Sequence, residues 1–136
     1  MKIFFDNCTS PVLASTLNGF VQNSGHSAHH ISTLPCGRHA KDVVWMDMLG
    51  NSREVWLVIT GDGRIQKNKA ERLAFRQAKL IGFVLAPAYQ KTPINQQASI
   101  LIWRWPEIEV FVTQLGGGSL FELPISKSGK FKPMPL

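Results

Sequence analysis

Short apolar runs are separated by polar, turn-rich segments along most of this chain. Four of these runs predict β-strands, at residues 2–5, 26–32, 55–60 and 80–87. The run at 55–60 is the clearest, because it is continuously apolar rather than alternating, as in a strand that is covered on both faces. The pattern therefore predicts at least one strand in the centre of a sheet.

Amphipathic segments between and after these runs predict helices. The first predicted helix begins at Pro11, the second spans 40–49, the third spans 69–79 and the fourth begins after Pro93. Ser10 offers a capping hydroxyl directly before Pro11, which suits the first position of a helix. Pro106 is expected to break or restart the last helix, because proline has no amide hydrogen to donate.

Alternating strands and helices are typical of an α/β fold. Parallel neighbouring strands need a crossover connection, and helices usually provide it. We therefore expect a three-layer α/β/α sandwich with a central, mostly parallel sheet. A chain of 136 residues suffices for one such domain, predicted over 1–115. Residues 116–136 are expected to form a glycine-rich joint and a basic extension, with an edge strand within 120–126.

Three aspartates fall where strands end or helices begin. Asp6 follows the first strand, Asp62 follows the strand at 55–60, and Asp42 lies near the start of a predicted helix. Because functional groups of parallel sheets gather at the carboxyl ends of the strands, we expect the three to converge. Clustered carboxylates need a proton or a cation, and oxygen ligands suit Mg²⁺ or Mn²⁺. The alternative is that each is an ordinary turn or cap residue.

The composition gives the chain a positive electrostatic field, and the apolar pattern bears on its expected cellular location. The formal net charge is +6 and the isoelectric point is about 9.7, which favours a polyanion such as nucleic acid as partner. No apolar stretch is long enough for a membrane span, and Asp6 interrupts the N-terminus too early for a signal peptide. Cys8 and Cys36 lack redox-motif spacing. A cytoplasmic protein without membrane contact is expected.

Basic residues cluster after Asp62. On a helix over 69–80, one sector holds Lys69, Arg72, Arg76 and Lys79, whereas Ala70, Leu73 and Ala74 lie on the sector expected to pack. Such a stripe beside an acidic edge suits the binding of RNA phosphates, although a solvated helix face is the alternative. The predicted RNA-binding residues are Arg38, Arg64, Lys67, Lys69, Arg72 and Arg76.

Three stretches carry a resemblance to a known family: FFDN at 4–7, AKDVVW at 40–45, and VITGDGRIQKNKAERLAF at 58–75. In order and spacing they resemble the compact PIN-like domains, in particular the toxin-type branch of VapC-like ribonuclease toxins. The pattern of that branch runs D-[EN], then D-x-x-W, then T-x-D-x-x-I with a downstream Glu. The resemblance spans roughly residues 1 to 105.

The resemblance implies a Mg²⁺- or Mn²⁺-dependent endoribonuclease, often a toxin opposed by a cognate antitoxin. Carried over by position, the catalytic and metal-binding acids would be Asp6, Asp42 and Asp62, with Glu71 as the downstream acid. Asn7 and Thr60 would support them, Asn7 beside the metal or phosphate and Thr60 as a hydroxyl behind the acids. An RNA substrate, an antitoxin and a homodimer are the expected partners.

Two other functions fit parts of the sequence. A receiver-like phosphoacceptor domain also gathers acids around Mg²⁺, but it needs adjacent acids after the first strand, where Asp6 is followed by Asn7. A non-catalytic nucleic-acid-binding module would keep the fold and the basic face without turnover. The four histidines have no zinc-ligand spacing, and the GDG at 61–63 lacks the G-K-[ST] of a phosphate-binding loop.

Overall fold

The computed structural model describes every residue from Met1 to Leu136 and contains one sheet of six strands. The strands are β1 (Lys2–Phe5), β2 (Ser27–His30), β3 (Trp56–Thr60), β4 (Ile81–Leu85), β5 (Ser119–Leu123) and β6 (Lys132–Pro133). Their order in the sheet is β2-β1-β3-β4-β5-β6. The first five strands of this order are parallel and β6 is antiparallel, so the predicted mostly parallel sheet is confirmed.

Five helices cover the two faces of the sheet. They are α1 (Pro11–Val21), α2 (Asp42–Gly50), α3 (Arg64–Lys67), α4 (Lys69–Gln77) and α5 (Ile94–Val112). α1 and α5 pack on one face, against strand residues such as Ile3, while α2, α3 and α4 pack on the other, against Phe4. Neighbouring strand residues point to opposite faces, which separates the two cores. The three-layer α/β/α fold is therefore confirmed, and no helix combines the length and apolarity needed to cross a membrane.

The packing of α4 differs from the prediction. Ala74 and Phe75 are buried against the sheet, whereas Ala70 is exposed and Leu73 is 50% exposed. The sheet takes up the large aromatic ring of Phe75, and this rotates Leu73 towards solvent. The short helix α3, which separates Asp62 from α4, was not expected from the apolar pattern, because four residues are too few to show helical periodicity.

Pro106 does not break the last helix, and that prediction is wrong. α5 continues from Ile94 to Val112 with Pro106 inside it. Leu101 and Trp105 before the proline and Ile108 after it are all buried in the core on that face. Tertiary packing on both sides therefore outweighs the loss of one backbone hydrogen bond, which costs roughly 3 kcal/mol in an isolated helix.

The C-terminal residues continue the same sheet. β5 pairs in parallel with β4, and because β6 pairs with its other side, β5 is not the predicted edge strand. Arg104 of α5 is 1% exposed and donates hydrogen bonds to the carbonyls of Ser126 (2.9 Å) and Gly129 (2.7 Å), with its guanidinium over the ring of Phe131. The division of the chain at residue 115 remains a prediction.

Candidate active site

Four acidic side chains lie at the carboxyl ends of the parallel strands. Asp6 directly follows β1, and Asp62 comes two residues after β3. Asp42 is the first residue of α2 and Glu71 lies in the first turn of α4, where the positive end of a helix favours negative charge. Each is within electrostatic reach of another, as their effects on each other's pKa show. The acids therefore lie at one edge of the sheet, although no three of them are grouped around a common point, and the predicted shared metal site stays a prediction.

Asp6 is the most buried of the four, at 3% exposure. Burial raises its pKa to about 6, and the charge of Asp42 acts in the same direction. The hydroxyl of Thr60 donates to Asp6 Oδ2, and the amide of Cys8 donates to Oδ1 at 3.2 Å. These bonds oppose the rise in pKa and fix the carboxyl group. Thr60 thus lies directly behind the acid, as the sequence predicts.

Asp62 is held by Arg64. The Arg64 guanidinium donates to both carboxylate oxygens, at 2.9 Å from Nε to Oδ1 and 2.8 Å from Nη2 to Oδ2. Its backbone amide adds a bond to Oδ1 at 2.9 Å. This pair, and above all its side-chain hydrogen bonds, holds the pKa of Asp62 below its usual value despite burial. Arg64 therefore neutralises Asp62, whereas the sequence predicts it as an RNA contact.

Asp42 and Glu71 form a second, unneutralised pair. Trp45 donates from Nε1 to Asp42 Oδ1 at 2.9 Å, because residues three apart on a helix lie on the same side. Glu71 Oε2 is buried without a hydrogen-bond partner. Burial raises the pKa of Glu71 to about 7, helped by the charge of Asp42 and by a hydrogen bond that the two carboxyls share when one is protonated. A proton or a cation is needed between them.

The donor set fits a hard divalent cation. It consists of carboxyl oxygens, Glu71 Oε2 lacks a partner, and the pKa values of Asp6 and Glu71 are both raised. As the side chains stand, no group of three or more Asp, Glu, His or Cys is arranged to hold a metal ion. Each of Asp6, Asp42 and Asp62 is turned towards its own donor. Cation binding would therefore require side chains to rotate.

Gly61 allows the segment after β3 to lie against the loop after β1. An added Cβ would lie 2.8 Å from the carbonyl oxygen of Cys8 and 3.3 Å from its Cβ. We expect Gly61→Ala to lower the free energy of unfolding by about 1–3 kcal/mol, because the backbone of the β1–α1 loop must move. Gly19→Ala is the control, since a Cβ there has no neighbour within 4 Å. Urea denaturation checks this, and equal stability of the two variants would contradict it.

The predicted basic residues lie at the surface. Arg38, Lys67, Lys69 and Arg76 are exposed and Arg72 is half-buried. None of these five takes part in an ion pair, in contrast to Arg64. Lys69, Arg72 and Arg76 share α4 with Glu71 but lie on a different side of that helix, and Arg76 lies near Gly118, directly before β5, at the opposite end of the sheet from the acids. Asn7 is exposed next to Asp6 and makes no side-chain hydrogen bond.

Sequence reasoning missed several groups that shape this edge. Cys8 acts through its backbone amide, which no sequence pattern reveals. Asn68 caps α4 by accepting a hydrogen bond from the Glu71 amide at 3.0 Å, and an Asn three residues before a Glu is a recognisable cap signal. Trp45 was visible as part of D-x-x-W, and its spacing could have predicted the contact with Asp42.

A family model described as a PIN like domain matches residues 1–87. The chain belongs to the PIN-like domain family. All four acids of the candidate site lie within the matched residues, and so does Arg64. PIN-like domains are in general nucleases, and they typically use divalent metals. No curated protein and no solved structure gave a match.

Proposed function

We propose that this PIN-like chain is a Mg²⁺- or Mn²⁺-dependent endoribonuclease that hydrolyses RNA phosphodiesters. The main support is that Asp6, Asp42, Asp62 and Glu71 lie at one edge of the sheet, where burial raises the pKa of Asp6 and of Glu71 and a cation would stabilise their charged forms. The formal net charge of +6, with Lys69 and Arg72 in the first turn of α4, supports RNA as the substrate. The receiver-like alternative receives no support from the family match.

Asp6, Asp42 and Glu71 are the residues that would hold the cation, with Asp62 joining them once it leaves Arg64. A bound divalent ion supplies charge for a phosphate oxygen and lowers the pKa of water. Because burial raises the pKa of Glu71 to about 7, this carboxyl group holds a proton in part of the molecules at neutral pH, and cation binding would release it. Thr60 and the Cys8 amide hold Asp6 until a cation binds, when at least one of its carboxyl oxygens would turn towards the ion.

Arg64 has a second role in this proposal. In the structure it neutralises Asp62, yet its side chain is 81% exposed and can rotate into solvent. Once released, its guanidinium is free to donate two parallel hydrogen bonds to a phosphate of the RNA. Asp62 and the substrate would then compete for the same guanidinium, which agrees with the predicted RNA contact.

The proposal is tested by incubating the purified protein with RNA, with Mn²⁺ in one sample and excess chelator in the other. We expect cleavage only with the metal, and restoration when Mn²⁺ exceeds the chelator. Cleavage that persists in chelator, or no cleavage with either metal, would overturn the proposal.

The basic face is tested separately by binding. Lys69→Gln combined with Arg72→Gln should weaken RNA binding about tenfold or more and lower the slope of log affinity against log salt by about one to two, because phosphate contacts release counterions. Arg53→Gln is the control, since Arg53 is exposed before β3, at the opposite end of the sheet. Fluorescence anisotropy in chelator separates binding from cleavage. An unchanged salt slope would exclude α4 as the RNA contact.

A non-catalytic RNA-binding module is the second candidate. The Arg64–Asp62 pair favours it, because the guanidinium already supplies the positive charge that an ion would bring to Asp62. Such a module would bind RNA equally well with and without metal and would leave it intact. The cleavage and anisotropy measurements together distinguish the two candidates.

The toxin role with a cognate antitoxin is the finer part of the proposal. Its support is the D-x-x-W and T-x-D-x-x-I pattern of the sequence. An exposed apolar strip on α1 and α5, formed by Val12, Phe20, Ile94, Trp103 and Val110, is where a protein partner, the antitoxin or a second copy, would bind. Induced expression of the chain alone should arrest growth if the toxin role is right.

A further inference from the structure

A small cavity opens directly beside the acidic edge. It lies between the loop after β1, the end of β3 and the segment joining β4 to α5, and its volume is about 110 Å³. Cys8 and Gly61 belong both to its wall and to the acidic edge: the Cys8 amide bonds to Asp6, and the charges of Asp6 and Asp62 act on the Cys8 thiol. A group bound in the cavity would therefore adjoin the acids.

The size and walls of this cavity select the kind of occupant. Pockets for drug-sized ligands measure about 300 Å³ or more, and a closed cavity of about 150 Å³ holds a single benzene ring, so this space of about 110 Å³, which is open to solvent, takes no more than one ring with its outer edge in solvent. Leu85, Ala86 and the ring of Tyr89 supply apolar and aromatic walls. Tyr89 is fixed because its hydroxyl donates to the carbonyl of Pro124 at 2.8 Å. One small planar ring fits this description.

Gln97 gives the cavity a fixed hydrogen-bond acceptor. Its Nε2 donates to the carbonyls of Tyr89 and Thr92, both at 2.8 Å. Flipping the amide would place its oxygen against those two carbonyl oxygens, so the orientation is determined. The remaining polar atom of Gln97, Oε1, has no hydrogen-bond partner and is not sealed from solvent. A ligand with an N–H group complements it.

We propose that this cavity binds one pyrimidine base of the RNA, next to the phosphodiester at the acidic edge. A single ring fits the volume, Tyr89 and Leu85 contact it, and a cytosine N4–H or uracil N3–H donates to Gln97 Oε1. The second ring of a purine would remain outside the cavity, without contact with its walls. The inference rests on the proposed ribonuclease function and assigns that function a preference for cleavage beside pyrimidines.

Two variants and a matched control test the proposal. Gln97→Met removes the acceptor but also the bonds to Tyr89 and Thr92, whereas Cys8→Leu narrows the cavity and leaves those bonds and the Cys8 amide intact. Gln96→Met is the control, since Gln96 is exposed one residue earlier on α5 and outside the cavity. Sequencing of RNA fragments gives the base beside each cut, and titration with cytidine, uridine and adenosine, followed by amide NMR signals, gives binding without cleavage.

We expect wild type to cut beside pyrimidines at least about tenfold faster than beside purines, as base stacking and one hydrogen bond allow. Gln97→Met should reduce that preference about 2- to 10-fold and Cys8→Leu about tenfold, with Gln96→Met unchanged. Cytidine and uridine, but not adenosine, should shift the signals of Gly61, Leu85 and Gln97.

The possible outcomes distinguish the pyrimidine-binding cavity from the proposed ribonuclease function on which it rests. Metal-dependent cleavage without base preference, and without pyrimidine shifts, would overturn the cavity proposal and leave the ribonuclease intact. Pyrimidine shifts that Cys8→Leu abolishes, in a protein that cuts no RNA, would support the cavity and overturn the ribonuclease.

Discussion

Asp6→Asn should lower metal-dependent RNA cleavage by at least about 100-fold, because loss of a group that merely supports a metal ligand already costs about 10- to 100-fold. Asparagine keeps the size of the side chain and one oxygen that can accept from Thr60, so the fold should remain. What disappears is the negative charge nearest the centre of the site. Cleavage rates at saturating Mn²⁺, with circular dichroism to verify folding, measure the effect.

Asp47→Asn is the matched control for this substitution. Asp47 lies on α2 like Asp42, but it is exposed, and its carboxylate makes neither a hydrogen bond nor an ion pair. Cleavage by this variant should equal that of wild type. If Asp6→Asn retained full activity, or if Asp47→Asn lost it, the acids of the sheet edge would not be the catalytic group.

The stability of the protein should fall as the pH rises through the titration of Asp6. Its pKa is about 6 in the folded chain against an ordinary value of 3.8, because burial disfavours the charged form. Between these values the folded state binds more protons than the unfolded state, so the free energy of unfolding decreases with pH. The full loss is on the order of 3 kcal/mol and is complete above about pH 6.

Two other groups set the edges of this pH window. Glu71, with a pKa raised to about 7 by burial and by Asp42, extends the decline towards neutral pH. Asp62 has the opposite sign: Arg64 lowers its pKa, so its stabilising contribution is lost only as the pH falls below the ordinary range of aspartate. Urea denaturation between pH 4.5 and 8 should therefore show a decline from which Asp6→Asn removes the part below about pH 6 and leaves the part due to Glu71.

Added Mg²⁺ provides an independent check on the same charges. A cation that binds only the folded protein raises its stability by mass action. The gain should be larger at pH 8 than at pH 5, because Asp6 and Glu71 must lose their protons to bind it. Equal stabilisation of wild type and Asp6→Asn at pH 8 would show that the ion binds elsewhere.

The apolar pattern predicted the strands and the layer order well, because burial on both faces leaves a strong signal at 55–60 and 80–87. The apolar pattern gave wrong predictions where contacts between distant parts of the chain determine the structure. Pro106 stays inside α5 because the surrounding core holds both halves of the helix, and Phe75 turns α4 because the sheet offers it space. Neither neighbour can be read from the local sequence.

The candidate site shows the same limit. The parallel sheet placed Asp6 and Asp62 at one edge, as strand order alone implies, and the D-x-x-W spacing contained the contact of Trp45 with Asp42. The bond from Thr60 to Asp6 joins residues far apart in the chain, and the neutralisation of Asp62 by Arg64 depends on a side-chain rotamer. The positions of the acids could be predicted from the sequence, whereas most of their hydrogen-bond and ion-pair partners could not.

The bonds from Arg104 to the carbonyls of Ser126 and Gly129 have a practical meaning for anyone preparing this protein. A version shortened before residue 126 would retain every acid, but the buried guanidinium would lose two of its hydrogen bonds and the ring of Phe131, and only Glu107 would remain as its partner. Such a version would be expected to precipitate rather than report on catalysis. Affinity tags and deletions are better placed where they leave the hydrogen bonds from Arg104 to Ser126 and Gly129 intact.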